Sequence, residues 1–142
     1  MELNYEPSEI RVTDAQQTYL KAFIDLAARQ GEAVEWETSV LERRGQALFL
    51  KSEYVLPTLL ARCRRETAHI HASDASAHVN LSLADAEEVV RTGWGERHRL
   101  SGSRFPLNYT MLYQPRKVEE IEVFMSIFEA GIEYAKSNGS KS

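Results

Sequence analysis

The segment that most constrains the fold is residues 67–83, TAHIHASDASAHVNLSL. Its side chains alternate with period two. Ala68, Ile70 and Ala72 fall on one side and Thr67, His69 and His71 on the other; Val79, Leu81 and Leu83 then alternate with His78, Asn80 and Ser82. The intervening SDAS is rich in turn formers. This pattern predicts an antiparallel hairpin with one dry face. Its most economical register centres the turn on Asp74 and Ala75 and pairs Ala72 with Ala77, His71 with His78, Ile70 with Val79 and His69 with Asn80. Three of the four histidines of the chain then share a face, with opposed Cβ atoms about 5 Å apart. A slip of one residue would send His78 to the opposite face.

The neighbouring patterns surround this hairpin with helices and further strands. TDAQQTYLKAFIDLAARQG reads as a helix opened by a Thr13–Gln16 capping box, with Tyr19, Leu20, Phe23, Ile24 and Ala27 at helical spacing. VEWETSVLE and QALFLK read as strands about a turn at Arg43 to Gly45, and SEYVLPTLLARCRR as a short helix with Pro57 in its first turn. Ser82 and Asp85 form a second capping box before a helix in which Val89 and Val90 point inward and which Gly93 ends. ERHRL and YTMLYQ are expected strands. Pro115 introduces a final helix with the stripe Val118, Ile121, Phe124, Met125, Phe128 and Ile132. Paired strands with helices around them indicate an α+β fold: an antiparallel sheet with an N-terminal helix, a C-terminal helix and one or two further helices packed on it. At 142 residues this is a single domain, 1–142, with residues 1–12 and 137–142 expected as flexible tails.

Composition excludes several functions. The 17 basic and 21 acidic side chains form no basic tract, so no nucleic-acid partner is expected. The single cysteine, Cys63, rules out an internal disulfide and argues against a cysteine-built zinc site. No uncharged run approaches the ~20 residues of a membrane span, and the N-terminus lacks the layout of a signal peptide. A soluble, cytoplasmic protein without a membrane partner is expected, acting on a small molecule.

The chemistry-bearing residues form three groups. His69, His71 and His78 have the spacing of a three-histidine metal site, and equally that of a general base with donors for an anionic substrate. GWGERHRL supplies Trp94 between two glycines, Arg97 and His98 as a fourth imidazole. LYQPRKVEE places Arg116 at the start of a helix, where an anion could meet it beside free backbone N–H groups. Glu66 is suited to orient a histidine, although strand alternation sets Arg65 and Glu66 on opposite faces.

The segment RRETAHIHASDASAHVNLSLADAEEVVRTGWGERHRLSG, followed by LYQPRKVEEIEVFMSIFEAGIEYA, resembles the C-terminal part of the fungal luciferase family. The shared elements fall on Arg65, Glu66, His69 and His71; on His78 and Leu81; on Asp85; on Gly93, Trp94, Gly95, Arg97, His98, Leu100 and Gly102; and on Tyr113, Pro115 and Arg116. The resemblance implies an enzyme that oxidises an enolic α-pyrone, 3-hydroxyhispidin, with O₂ as co-substrate and no organic cofactor, through a high-energy peroxide that loses CO₂. The family's hydrophobic N-terminal membrane segment is not found here, so a soluble form is expected. On this reading His69, His71, His78 and His98 are catalytic, and Arg65, Glu66, Asn80, Trp94, Arg97, Tyr113 and Arg116 contact substrate. A histidine takes the enol proton, arginines stabilise the oxyanion and the aromatic rings stack on the flat substrate. No metal is assigned. The alternatives are a metal-dependent three-histidine oxygenase, another small-molecule enzyme on the same scaffold, or a non-catalytic binding module.

Overall fold

The computed structural model describes residues 14–40, 45–98, 101 and 108–141. It is α+β. A six-stranded antiparallel sheet has the order β1-β2-β3-β4-β6-β5, with β1 at Val34–Thr38, β2 at Gln46–Leu50, β3 at Glu66–Ile70, β4 at Ala77–Asn80, β5 at Gly95–Arg97 and β6 at Tyr109–Leu112. Helices α1 (Asp14–Arg29) and α3 (Ile121–Lys136) pack against each other, and α3 lies along the central strands. Helix α2 (Leu83–Thr92) contacts β5.

The apolar face of the hairpin is buried as the alternation requires. Ala68, Ala77, Val79 and Leu81 are fully enclosed in one cluster with Tyr19, Phe124, Phe128 and Ile132. Tyr19 meets Phe124 edge-on, with ring centroids 5.5 Å apart. Gly131 brings α3 close to β4, since a Cβ there would stand 2.6 Å from Val79 Cγ2. Ser82 caps α2 by accepting from the Asp85 amide at 3.1 Å, and Gly93 closes it at φ 87°, as the capping pattern predicted.

Several expectations are corrected. The register of β3–β4 pairs His69 with His78, Ile70 with Ala77 and Ala68 with Val79. This is a slip of two residues from the economical register, so every side chain keeps its face. The cause is the turn. Asp-Ala is a poor two-residue hairpin turn, where Asn-Gly or Asp-Gly is favoured. The chain instead closes a four-residue loop: the His71 amide donates to the Ser76 carbonyl at 2.8 Å, and the Ala75 amide to the His71 carbonyl at 2.9 Å, with Ala75 left-handed at φ 64°. Ala72 therefore leaves the dry face and is exposed.

The short helix expected after Pro57 is a 3-10 helix, Thr58–Cys63, ended by left-handed Arg64. Val90 and Val118 are exposed rather than inward, Val118 because a 3-10 turn at Val118–Glu120 precedes α3 and rotates it off the stripe. Residues 139–141, expected in a flexible tail, pair with residues 53–55: the Val55 amide donates to Gly139 and the Lys141 amide to Glu53. Thr13, Arg43, Arg44, Leu100, Gly102, residues 1–12 and Ser142 lie outside the described residues.

Candidate functional site

The second face of the hairpin is polar and buried. Glu66, Thr67, His78 and Asn80 are inaccessible and His69 is 4% exposed, so this is an enclosed site and not a wet strand surface. Backbone alternation along β3 and β4 brings three imidazoles together. Ring centroids are 5.2 Å apart for His69–His71, 5.4 Å for His69–His78 and 5.7 Å for His71–His78. Tyr109, opposite Asn80 on β6, stacks on His78 at 4.8 Å and meets His98 edge-on at 5.1 Å. The fourth imidazole thus joins the group through a tyrosine. The sequence reading passed over Tyr109, although its strand alternation carried the signal.

Each of the three imidazoles is anchored by one ring nitrogen. His69 Nδ1 lies 2.8 Å from the Gln46 carbonyl oxygen, His71 Nδ1 2.9 Å from Ser76 Oγ, and His78 Nε2 2.9 Å from Glu66 Oε2. Gly45 crowds the first of these rings: at φ 75°, a Cβ on it would stand 2.9 Å from His69 Cε1. Gly45, Gln46, His69, Ile70, His71, Ala72 and Ser73 line a cleft of about 520 Å³, so His69 and His71 form its wall while His78 lies behind them.

Glu66 reaches this face through a β-bulge. Across β2–β3, Leu48 pairs with Ala68 but Phe49 pairs with Glu66, so Thr67 is an extra residue. Strict alternation would put Glu66 on the dry face with Ala68; the inserted residue turns its carboxylate to the imidazoles. Arg64 and Arg65 precede it in left-handed conformations, φ 49° and 77°. The Arg65 guanidinium holds that geometry by donating to the carbonyls of Leu50, Lys51 and Tyr54. Arg65 therefore braces the backbone on the side away from the imidazoles.

The Glu66 carboxylate accepts from Ser39 Oγ at 3.0 and 2.9 Å, from the Val40 amide at 2.8 Å and from His78. Ser39 carries no sequence signal for this role. Burial alone would raise the Glu66 carboxyl, but the hydrogen bond and charge of His78, with Ser39 and the Val40 amide, outweigh it and hold it below its ordinary value. A depressed folded-state value stabilises the fold fully above the ordinary carboxyl range near 4.5 and loses that contribution as pH falls through the folded value. Acid unfolding followed by circular dichroism should therefore steepen below that range, and Glu66→Gln should flatten it there.

The remaining expected contacts lie elsewhere. Asn80 is beside Glu66, its Nδ2 donating to the Glu66 carbonyl at 2.9 Å. Arg97 is exposed on edge strand β5, opposite Thr110. Trp94 packs edge-on against Phe124 at 5.6 Å, and with Tyr113, Gln114, Arg116 and Glu120 it lines a separate cavity of about 390 Å³. Arg116 is ion-paired to Glu120 at 2.8 Å, and Tyr113 donates to Glu96 at 3.2 Å. Among the described residues, no three His, Cys, Asp or Glu side chains are placed to share a metal ion. Among them also, no helix is long and apolar enough to cross a membrane.

Comparison with known proteins places this site in a family. Residues 64–131, which hold all four histidines, match the model of the luciferase domain. The chain is 35% identical over 119 residues to a luciferase of Neonothopanus nambi, and 34% identical over 119 residues to luciferases of Armillaria gallica and Armillaria mellea. Each alignment covers 75% of this chain and 45% of the relative, so the chain spans less than half the length of these proteins. No solved structure matches it. Residues 64–131 match a luciferase-family domain, and 119 residues of the chain are similar to fungal luciferases.

Proposed function

We propose that the chain is a luciferase-type oxygenase that takes an enolic α-pyrone or similar phenolic metabolite into the imidazole-walled cleft and oxidises it with O₂, without an organic cofactor. The observation that carries this reading is the cluster of three imidazoles, two of which line a cleft of about 520 Å³, within the usual range for small-molecule sites. The chemistry needs a base of near-neutral pKa, which imidazole supplies. An imidazole nitrogen takes the enol proton and leaves an enolate. The electron pair of the enolate carbon forms a bond to O₂, which is reduced to a carbon-bound peroxide anion. Attack of that anion on the lactone carbonyl expels the ring oxygen as an enolate and closes a four-membered cyclic peroxide; cleavage of its O–O and C–C bonds releases CO₂ and leaves the oxygenated carbon as a carbonyl. Imidazolium N–H groups are suited to stabilise the oxyanions formed on the way.

Oxygen uptake, CO₂ release and product mass, measured with 3-hydroxyhispidin and other enolic pyrones, test the proposal. The expected result is one O₂ consumed for each substrate converted. Saturable binding, followed by tryptophan fluorescence, with no oxygen uptake from any such pyrone would overturn it in favour of a binding module.

A further inference from the structure

The turn of the β3–β4 hairpin contains a three-residue relay that ends on the cleft. Asp74 Oδ1 accepts from Ser76 Oγ at 2.7 Å and from the Ser76 amide at 2.9 Å, and Ser76 Oγ lies 2.9 Å from His71 Nδ1. We infer that His71 is the general base of the site, with Nε2 as its basic atom, and that Ser76 and Asp74 are positioning residues that act through it. This rests on the proposed proton abstraction from an enolic substrate.

A hydroxyl has one proton to donate and two lone pairs. Asp74 is ionised: burial would raise its carboxyl, but the two hydrogen bonds from Ser76 and the charge of His71 bring it below its ordinary value. An ionised carboxylate only accepts, so the Ser76 proton is directed to Asp74, in a bond of charge-assisted length. Ser76 Oγ then accepts from His71 Nδ1–H. A neutral His71 held in that tautomer keeps its lone pair on Nε2.

The two neighbouring imidazoles are held differently. His69 also presents Nδ1–H, to the Gln46 carbonyl, but that acceptor is neutral. His78 is paired with anionic Glu66, but it is fully buried behind the cleft wall. His71 combines a place on the cleft wall with an anionic relay. Among the described residues, the titratable groups that face it are His69 on its own strand, His78 across the hairpin and Asp74 in the turn, with Glu66 behind His78. The left-handed Ala75 and the slip in register both serve this arrangement, because they set Ser76 opposite His71.

Long-range ¹H–¹⁵N correlation spectra of the full chain report the tautomer and titration of each histidine without any substrate. Neutral His71 is expected as the Nδ1–H tautomer. Ser76→Ala should shift it toward Nε2–H, and Asp74→Ala should do so in part, by freeing the Ser76 proton to donate to Nδ1, while the His69 and His78 tautomers stay as they are. An Nε2–H tautomer in the wild type, or a His71 tautomer unmoved in both variants, would overturn the relay. In turnover, Ser76→Ala should lower kcat/KM about tenfold or more, and Asp74→Ala should lower it by a smaller factor. A relay present in the spectra with both turnover readouts unchanged would overturn His71 as the base. Failure of every pyrone to react would instead sink the proposed function, while the spectra still decide the relay. Both substituted residues lie in the hairpin turn, outside the core.

Discussion

Replacing His71 by alanine is expected to lower kcat/KM for an enolic pyrone by about 10²-fold or more, the usual range for loss of a general base. The fold should persist. His71 is half-buried at the end of the hairpin, beyond the last pair of β3 with β4, and belongs to neither apolar cluster. His69→Ala should behave differently. It removes a side chain that is only 4% exposed together with its hydrogen bond to the Gln46 carbonyl, so about 1–3 kcal/mol of stability goes with it. Steady-state oxygen uptake together with urea denaturation separates the two. A His71→Ala protein with wild-type kcat/KM, on a substrate the wild type turns over, would refute the assignment.

Among the described glycines, Gly95→Ala is expected to be the most damaging, with a loss of about 3 kcal/mol or more. Gly95 pairs with Leu112 at the start of β5, and an added Cβ would stand 2.1 Å from the Met111 carbonyl oxygen and 3.2 Å from Leu112 Cα. Both are backbone atoms of the neighbouring strand. They cannot yield without opening the β5–β6 ladder. The other glycine of the same Gly-Trp-Gly element, Gly93, has open space about it but a φ of 87°. Its replacement by alanine should cost only about 1 kcal/mol, the penalty of a left-handed alanine. Urea midpoints for the two variants test the contrast; equal losses would contradict the geometry. The element thus uses one glycine for backbone conformation and the other for room, and between them Trp94 is anchored on Phe124.

The way in which the sequence reading departed from the structure is physically informative. Alternation placed His69, His71 and His78 on one face correctly, because a slip of two residues preserves facing. It could not choose the partner of His69, because the choice depended on whether the loop closes over two residues or four. Glu66 was set off from the imidazoles by the rule of alternation, and a single bulged residue, Thr67, reversed that. Trp94, Tyr113 and Arg116 carry family elements, yet the fold gathers them in a second cavity with Phe124 and Glu120. Motif order along a chain does not report which side of a sheet a residue will reach.

Local chemistry was enough to establish the α+β class, the caps of α2, the dry face of the hairpin and the resemblance to fungal luciferases. Each depends on periodicity or on residues near one another in sequence, so each survives without knowledge of the packing. The tertiary structure alone decided that the polar face is enclosed, that Glu66 holds His78 from 12 residues away and is itself held by Ser39, 27 residues before it, and that Tyr109 links His98 to the cluster. Those contacts arise from strand pairing and a bulge, whose register is set by loop closure and burial across the whole sheet, and no local stretch of residues encodes them.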